Sequence, residues 1–219
     1  RDNTKIRVVL NGIDRDKFRA EDYETKIREI RTKHGLKDAP IVGIVSRLAP
    51  EKGHIVLLEA FARLINDIPA AQLIIIGDGR TRGELERRTR QLGMEKSVFF
   101  YGQILNVAEF LAIMDVFVRP SAIEGFGLGV VEAMMMRRPV VASDLSEFRQ
   151  ILDDGKVGLL VRTGDSASLK DALLRLLRDP AFARGLGMAG YEYAVKNFSA
   201  ERVASDIENI YKEAVNERK

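Results

Sequence analysis

Residues 40–76 read PIVGIVSRLAPEKGHIVLLEAFARLINDIPAAQLIII. The run opens with a short apolar segment rich in β-branched residues, PIVGIVS at 40–46, and closes with a second, AQLIII at 71–76. Between them, Leu58, Phe61, Ala62 and Ile65 recur at helical spacing over 54–66. A continuous apolar strand, a helix and another continuous apolar strand make a βαβ unit. Strands of this kind are parallel and buried on both faces, because the crossover helices cover the sheet.

The same alternation extends in both directions. Downstream come a basic helix at 82–92 closed by Gly93, a strand SVFFY at 97–101 ending at Gly102, a short helix at 107–114 and a strand DVFV at 115–118. A glycine-rich loop then opens a helix at 130–137, followed by strands PVVA at 139–142 and VGLLV at 157–161. A helix at 165–178 carries Leu169, Ala172, Leu173, Leu176 and Leu177 on one face, with Asp165 as its N-cap. Two further helices, 180–197 and 200–215, run towards the end. Upstream, KIRVVL at 5–10 is strand-like before the turn Asn11-Gly12, and 21–34 reads as a charged surface helix. No linker divides the pattern. It predicts one α/β domain over 1–219, a single doubly wound parallel sheet of about six strands with a C-terminal helical extension.

Composition agrees with a globular domain and removes several chemistries. The chain has 219 residues, 46% hydrophobic and 31% charged, with a formal net charge of +3. The absence of Cys excludes thiol catalysis and Cys-ligated zinc or iron–sulfur sites, and fits a reducing, cytoplasmic setting. With only two His, a His-rich metal site is not expected. No window approaches the roughly 20 apolar residues of a spanning helix. The small basic excess does not point to nucleic acid, but it is compatible with an anionic small ligand or an anionic membrane surface. The chain opens Arg1-Asp2-Asn3 without Met, so a processed product or a piece of a longer protein is expected.

In an open α/β sheet, ligands bind beyond the carboxyl ends of the strands, at the point where strand order reverses. Arg47 and Lys52 follow the strand at 40–46. Gly102, Gln103 and Ile104 follow SVFFY. Ser121, Glu124, Gly125, Phe126, Gly127, Leu128 and Gly129 follow DVFV, with Glu132 one turn into the next helix. Arg47 and Lys52 read either as a diphosphate clamp or as two solvated cations. The glycine loop reads either as a cradle whose N–H groups attract phosphate or as a tight strand-to-helix turn. Glu124 at its mouth would repel a lone phosphate, yet can accept from sugar hydroxyls. Cations, loop and carboxylates together suit a phosphorylated, polyhydroxylated ligand.

Competing motifs fail on spacing. GDGRTRG at 77–83 places its third glycine one residue late for a dinucleotide fingerprint and follows the wrong strand, so it reads as a turn. There is no G-x-x-x-x-G-K-[ST], and Ser121 lies in no G-x-S-x-G elbow. His54 is expected partly exposed at a helix start, Met134-Met135-Met136 as core packing, and the arginines from Arg80 to Arg90 as a solvated face.

The strings VSRLAPEKGHIVLLEAFARL, LIIIGDG, PSAIEGFGLGVVEAM, PVVASD and GLLVRTGD resemble the C-terminal domain of retaining family 4 (group 1) glycosyltransferases of the GT-B fold. The likeness runs from NGID at 11–14 to the last helix, and its most specific part is Glu124-x7-Glu132. It implies a Rossmann-like domain forming one half of a GT-B enzyme, which transfers a sugar from a nucleoside diphosphate sugar (UDP, GDP or ADP type) to an acceptor hydroxyl without a metal or cofactor. It implies that Arg47 and Lys52 bind the diphosphate and that Glu124, with backbone of Gly125, Phe126, Gly127, Leu128 and Gly129, holds the sugar. Glu132 would bind the ribose, and Gly102, Gln103 and Ile104 would border the base; Glu124, Arg47 and Lys52 are the implied catalytic set. The N-terminal, acceptor-binding domain is missing, and residues 199–219 are expected to cross to it with an apolar face around Tyr211 and Ala214. A peripheral membrane contact of the full-length protein is left open, as are two alternatives, a GT-B-type sugar-nucleotide epimerase domain and a non-catalytic nucleotide-binding module. The chain departs from the family pattern at Ser146-Glu147, at Gln150, and at Arg137, which stands at a usual helix-ending glycine. A left-handed Arg137 would cost on the order of 1 kcal/mol.

Overall fold

Side-chain alternation along the strands accounts for the three layers. In β2 (Gln72–Ile76), Ile74 and Ile76 enter one apolar cluster while Leu73 and Ile75 enter the other. β1 (Ile41–Val45), β4 (Val116–Arg119) and β5 (Val140–Ser143) divide in the same way: Ile41, Phe117 and Val140 face one side, Val42, Val116 and Val141 the other. β3 (Val98–Gly102) and β6 (Leu159–Val161) complete a six-stranded sheet in the order β3-β2-β1-β4-β5-β6, and every pairing is parallel. This is the strand order of a Rossmann-type sheet, with its reversal between β1 and β4. The computed structural model describes residues 6–216.

Helices cover both faces. The first cluster takes in α1 (Ile27–Lys33), α4 (Val107–Ile113), α5 (Leu128–Met135) and α6 (Ser146–Ile151). The second takes in α2 (His54–Asp67), α3 (Arg82–Gln91) and α7 (Ser166–Arg178). α8 (Pro180–Phe198) gives Ala194 and Phe198 to the first cluster and Ala183 and Leu186 to the second, so it passes from one layer to the other. α9 (Ala200–Asn216) ends the described chain, with Ile207, Tyr211 and Val215 exposed one turn apart. Asp165 caps α7, its carboxylate accepting from the N–H groups of Ala167 and Ser168. Met134, Met135 and Met136 are buried, as expected of core packing. Among the described residues, no helix is long and apolar enough to cross a membrane.

Some expectations are corrected. Residues 6–10 form no strand; Ile6 and Val8 are exposed, and the sheet edges are already occupied by β3 and β6. Lys5 and residues 217–219, the ends of the expected first strand and last helix, lie outside the described residues. The charged segment 21–34 is α-helical only over Ile27–Lys33, where Ile30 reaches the core, after a 3-10 turn at Ala20–Asp22. α6 forms where no helix is read from the sequence, because Phe148 and Ile151 find the core within six residues. Arg137 is left-handed, with φ 57°. Its guanidinium pairs with Glu21 and Glu24 and lies over the Tyr191 ring, 5.0 Å from the centroid, and these contacts offset the backbone cost.

Candidate functional site

The loops that follow β1 and β4 leave adjacent strands at the reversal and are locked together through backbone. The N–H of Ala122 donates to the carbonyl of Glu51 at 2.8 Å. Gly53 is left-handed, and a Cβ there would overlap the carbonyl oxygen of Pro120. The turn Gly77-Asp78-Gly79 braces the same region from β2: its glycines pass against the carbonyls of Ser46 and Leu48, and the Leu48 N–H donates to Asp78 at 3.0 Å. The segment is thus a turn packed between the ends of β1 and β2, as its spacing predicts.

Inside this brace stands a cluster of charges. Lys52, at the end of the 3-10 turn Pro50–Lys52, is only 8% exposed. Its Nζ donates to Oε1 of Glu124 at 2.9 Å and to the Ile123 carbonyl at 3.4 Å. Arg119, the last residue of β4, is 7% exposed. Its Nε and Nη2 meet Oε2 of Glu124 at 2.9 and 2.8 Å, and its Nη1 donates to the Val45 carbonyl at 2.6 Å. Ser121 Oγ donates to Oε2 at 3.3 Å and the Gly125 N–H to Oε1 at 3.3 Å. Burial raises the Glu124 pKa, but Arg119 and Lys52 outweigh it and hold the carboxyl below its usual range. Glu132, half-buried on α5, is shifted upward: burial dominates and Arg119 opposes it only in part.

Arg119 is absent from the sequence-derived site. The available signal is a lone Arg closing an otherwise apolar strand. A guanidinium at such a position requires a carboxylate, and Glu124 lies five residues on. His54 corrects an expectation. It is 2% exposed, at the first position of α2, with Nε2 3.0 Å from Ser46 Oγ. Burial, with the nearby Arg119 and Lys52 charges, lowers its pKa to about 4 against a weaker pull from the Ala49 carbonyl.

The remaining candidates are placed unequally. Arg47 is on the same loop as Lys52, but its side chain is 78% exposed and meets only Glu51, at 3.6 Å, among the described ion pairs. Gly127 caps α5 at φ 100°, close against Phe148, whereas a Cβ at Gly125 would meet open space. Gly129 lies beside Val45 and Arg119, Phe126 packs edge-on to Phe198 at 5.9 Å, and Leu128 is exposed. Gly102 closes β3 at the sheet edge and Gln103 and Ile104 follow it, with β2 between them and β1, and the Gly102 carbonyl accepts from Gly77 at 2.7 Å. Cations, an ordered carboxylate and the start of α5 thus share one edge, an arrangement suited to an anionic ligand that also carries hydroxyls.

The family described as "Glycosyl transferases group 1" matches residues 26–193. The chain is 40% identical over 165 residues to a phosphatidyl-myo-inositol mannosyltransferase of Mycobacterium leprae, covering 74% of this chain and 43% of that protein. It is 31% identical over 200 residues to an alpha-D-kanosaminyltransferase of Streptomyces kanamyceticus, covering 90% and 52% respectively. The crystal structure of Anabaena Alr3699/HepE in complex with UDP-glucose superposes with a TM-score of 0.86 at 26% identity, covering 96% of this chain and 57% of that one. The chain thus spans about half the length of the curated relatives it matches.

Proposed function

The chain belongs to the group 1 glycosyl transferases, and from that premise we propose that it is the donor-binding domain of a retaining enzyme that transfers a sugar from a nucleoside diphosphate sugar to an acceptor hydroxyl. The observation that carries this reading is the buried Lys52–Glu124–Arg119 cluster at the strand-order reversal, with the start of α5 and Glu132 beside it. In the reading, Lys52 and Arg47 bind the diphosphate and stabilise it as negative charge develops on departure. Loop backbone from Gly125 to Gly129 follows the sugar and phosphate, and Glu124 accepts from sugar hydroxyls. Glu132 accepts from the ribose, while Gly102, Gln103 and Ile104 border the base. Membership of a glycosyltransferase family weighs against the epimerase alternative, and a paired, ordered charge set weighs against a decayed binding module. UDP-glucose in the Anabaena relative supports a nucleoside diphosphate sugar as the ligand class.

The acceptor side belongs to a partner domain in this reading. The exposed Ile207, Tyr211 and Val215 face of α9 is the surface assigned to it. Transfer by this chain alone is expected to be undetectable, because holding both reactants supplies a large part of such catalysis. The test is calorimetric titration with UDP, GDP and ADP and with their sugars. Glu132→Ala should weaken every nucleoside diphosphate, since each contains the ribose. Glu124→Ala should spare the nucleoside diphosphate and weaken the intact donor. The reverse pattern exchanges the two roles, and measurable transfer by the purified chain overturns the split of donor and acceptor between domains.

A further inference from the structure

Resting on the donor-site reading, we propose that Arg119 is a positioning residue that lets Lys52 leave Glu124 for the donor diphosphate without Glu124 following it. The two carboxylate oxygens of Glu124 are divided between two cations. Oε1 holds Lys52 at 2.9 Å, while Oε2 holds Arg119 through two nitrogens at 2.9 and 2.8 Å, with Ser121 at 3.3 Å.

The two cations differ in freedom. Arg119 is tied at every level: its backbone is in the β4 ladder opposite Ala142, and its third guanidinium nitrogen is bonded to the Val45 carbonyl at 2.6 Å. Its planar fork cannot turn without breaking several bonds. Lys52 has one strong contact and one at 3.4 Å, on a four-carbon stem from a single 3-10 turn. Charge favours the exchange. Lys52 and Arg119 against Glu124 leave one positive charge in excess, so an arriving diphosphate draws the mobile cation. Glu124 then keeps Arg119 on Oε2, and the buried carboxylate is never left unpaired. Oε1 retains only the 3.3 Å contact from the Gly125 N–H and becomes an acceptor for a sugar hydroxyl. Diphosphate binding thereby prepares the sugar site, through a residue that touches neither.

The experiment is a double-mutant cycle on this chain, titrated with UDP and UDP-glucose and, in parallel, with GDP and GDP-mannose. Arg119→Met should weaken nucleoside diphosphate binding by about tenfold, the worth of a charged hydrogen bond, because Lys52 would then abandon an unpaired carboxylate. In the Glu124→Gln background the same substitution should change binding by less than about twofold, since no carboxylate remains to be held. Should Arg119→Met fail to fold, Arg119→Lys keeps the charge without the fork and carries the same comparison, with a smaller loss again abolished by Glu124→Gln. An equal loss in both backgrounds means that Arg119 only supports the fold, and overturns the proposal. Unchanged binding in Arg119→Met also overturns it while leaving the donor-site reading intact. A parent chain that binds none of the four ligands overturns both.

Discussion

Two groups of cations in this protein meet carboxylates under opposite conditions. On α3, Arg82 Nε lies 2.9 Å from Glu86 and Arg88 Nη2 3.2 Å from Glu59, with more than a third of each arginine side chain in solvent. At the ends of β1 and β4, Lys52 and Arg119 lie at nearly the same distances from Glu124, but about nine-tenths of each side chain is buried. Distance alone does not separate the groups. Water screens the α3 pairs and could replace either partner, so they contribute little. Burial limits what solvent can compensate at the loop ends, so removing Glu124 leaves two buried cations without their carboxylate, and removing one cation leaves Glu124 to the other alone. The fold buries and pairs its charges at the strand-order reversal and leaves those spread along a helix in solvent.

The largest test of that contrast is stability. Arg119→Met should cost about 3–5 kcal/mol in urea denaturation, because it weakens the pairing of Glu124 and strips the Val45 carbonyl of its donor. A cost no greater than that of a surface substitution would break the comparison.

His54 tests the same buried region by pH. Its folded pKa, about 4, lies below its ordinary 6.5, so the folded state resists protonation. Stability should be complete above about pH 6.5 and fall as pH drops from there towards 4, by up to about 3 kcal/mol. Glu124, also lowered, keeps its charge to lower pH, and the raised Glu132 acts with the opposite sign because its folded form binds the proton more tightly, so the loss of stability on acidification from pH 6.5 belongs to His54. In His54→Gln the unfolding free energy should no longer fall on acidification from pH 6.5 to 5, and a fall equal to the parent's would assign it elsewhere.

Lys52→Ala should weaken nucleoside diphosphate binding by about 1.5–3 kcal/mol, read by calorimetry. Arg47→Lys should weaken it by less, since the charge remains and only the planar fork is lost. Binding equal to the parent's in both variants would remove the clamp. At the far end of the scale, Arg88→Ala should alter stability by no more than about 0.5 kcal/mol and leave ligand binding unchanged. A loss comparable with that of Lys52→Ala would erase the distinction between the two groups.

Strands and helices with strong patterns were legible in the chain. The run 40–76 became β1, α2 and β2 with ends shifted by a residue or two, and Asp165 caps α7 as its type and position require. Weak patterns misled. KIRVVL has the alternation of a strand, yet residues 6–10 join no strand of the six-stranded sheet. SEFRQI lacks the length of a recognisable amphipathic helix, yet forms α6 because Phe148 and Ile151 are packed from outside the segment. Around the strand-order reversal, Lys52, Glu124, Gly127 and Glu132 are singled out by residue type and spacing, and the structure brings Lys52 and Glu124 into contact. The burial of His54 was not legible, since a helix-start histidine looks alike whether or not another loop closes over it.

Local chemistry along the chain determined the parallel sheet, its covering helices and the set of residues at the strand ends. Apolar period and turn residues act within a few positions, and each segment carries its own preference. Tertiary structure alone decided which of the cations are buried and paired. Arg119 becomes a partner of Glu124 only when β4 pairs beside β1 and the Val45 carbonyl comes within 2.6 Å of its guanidinium. Lys52 leaves solvent only when Gly53, lacking a side chain, lets the two loops close on each other. Burial and pairing are properties of distant segments meeting, and the free energy of a charge depends on them far more than on its neighbours in sequence.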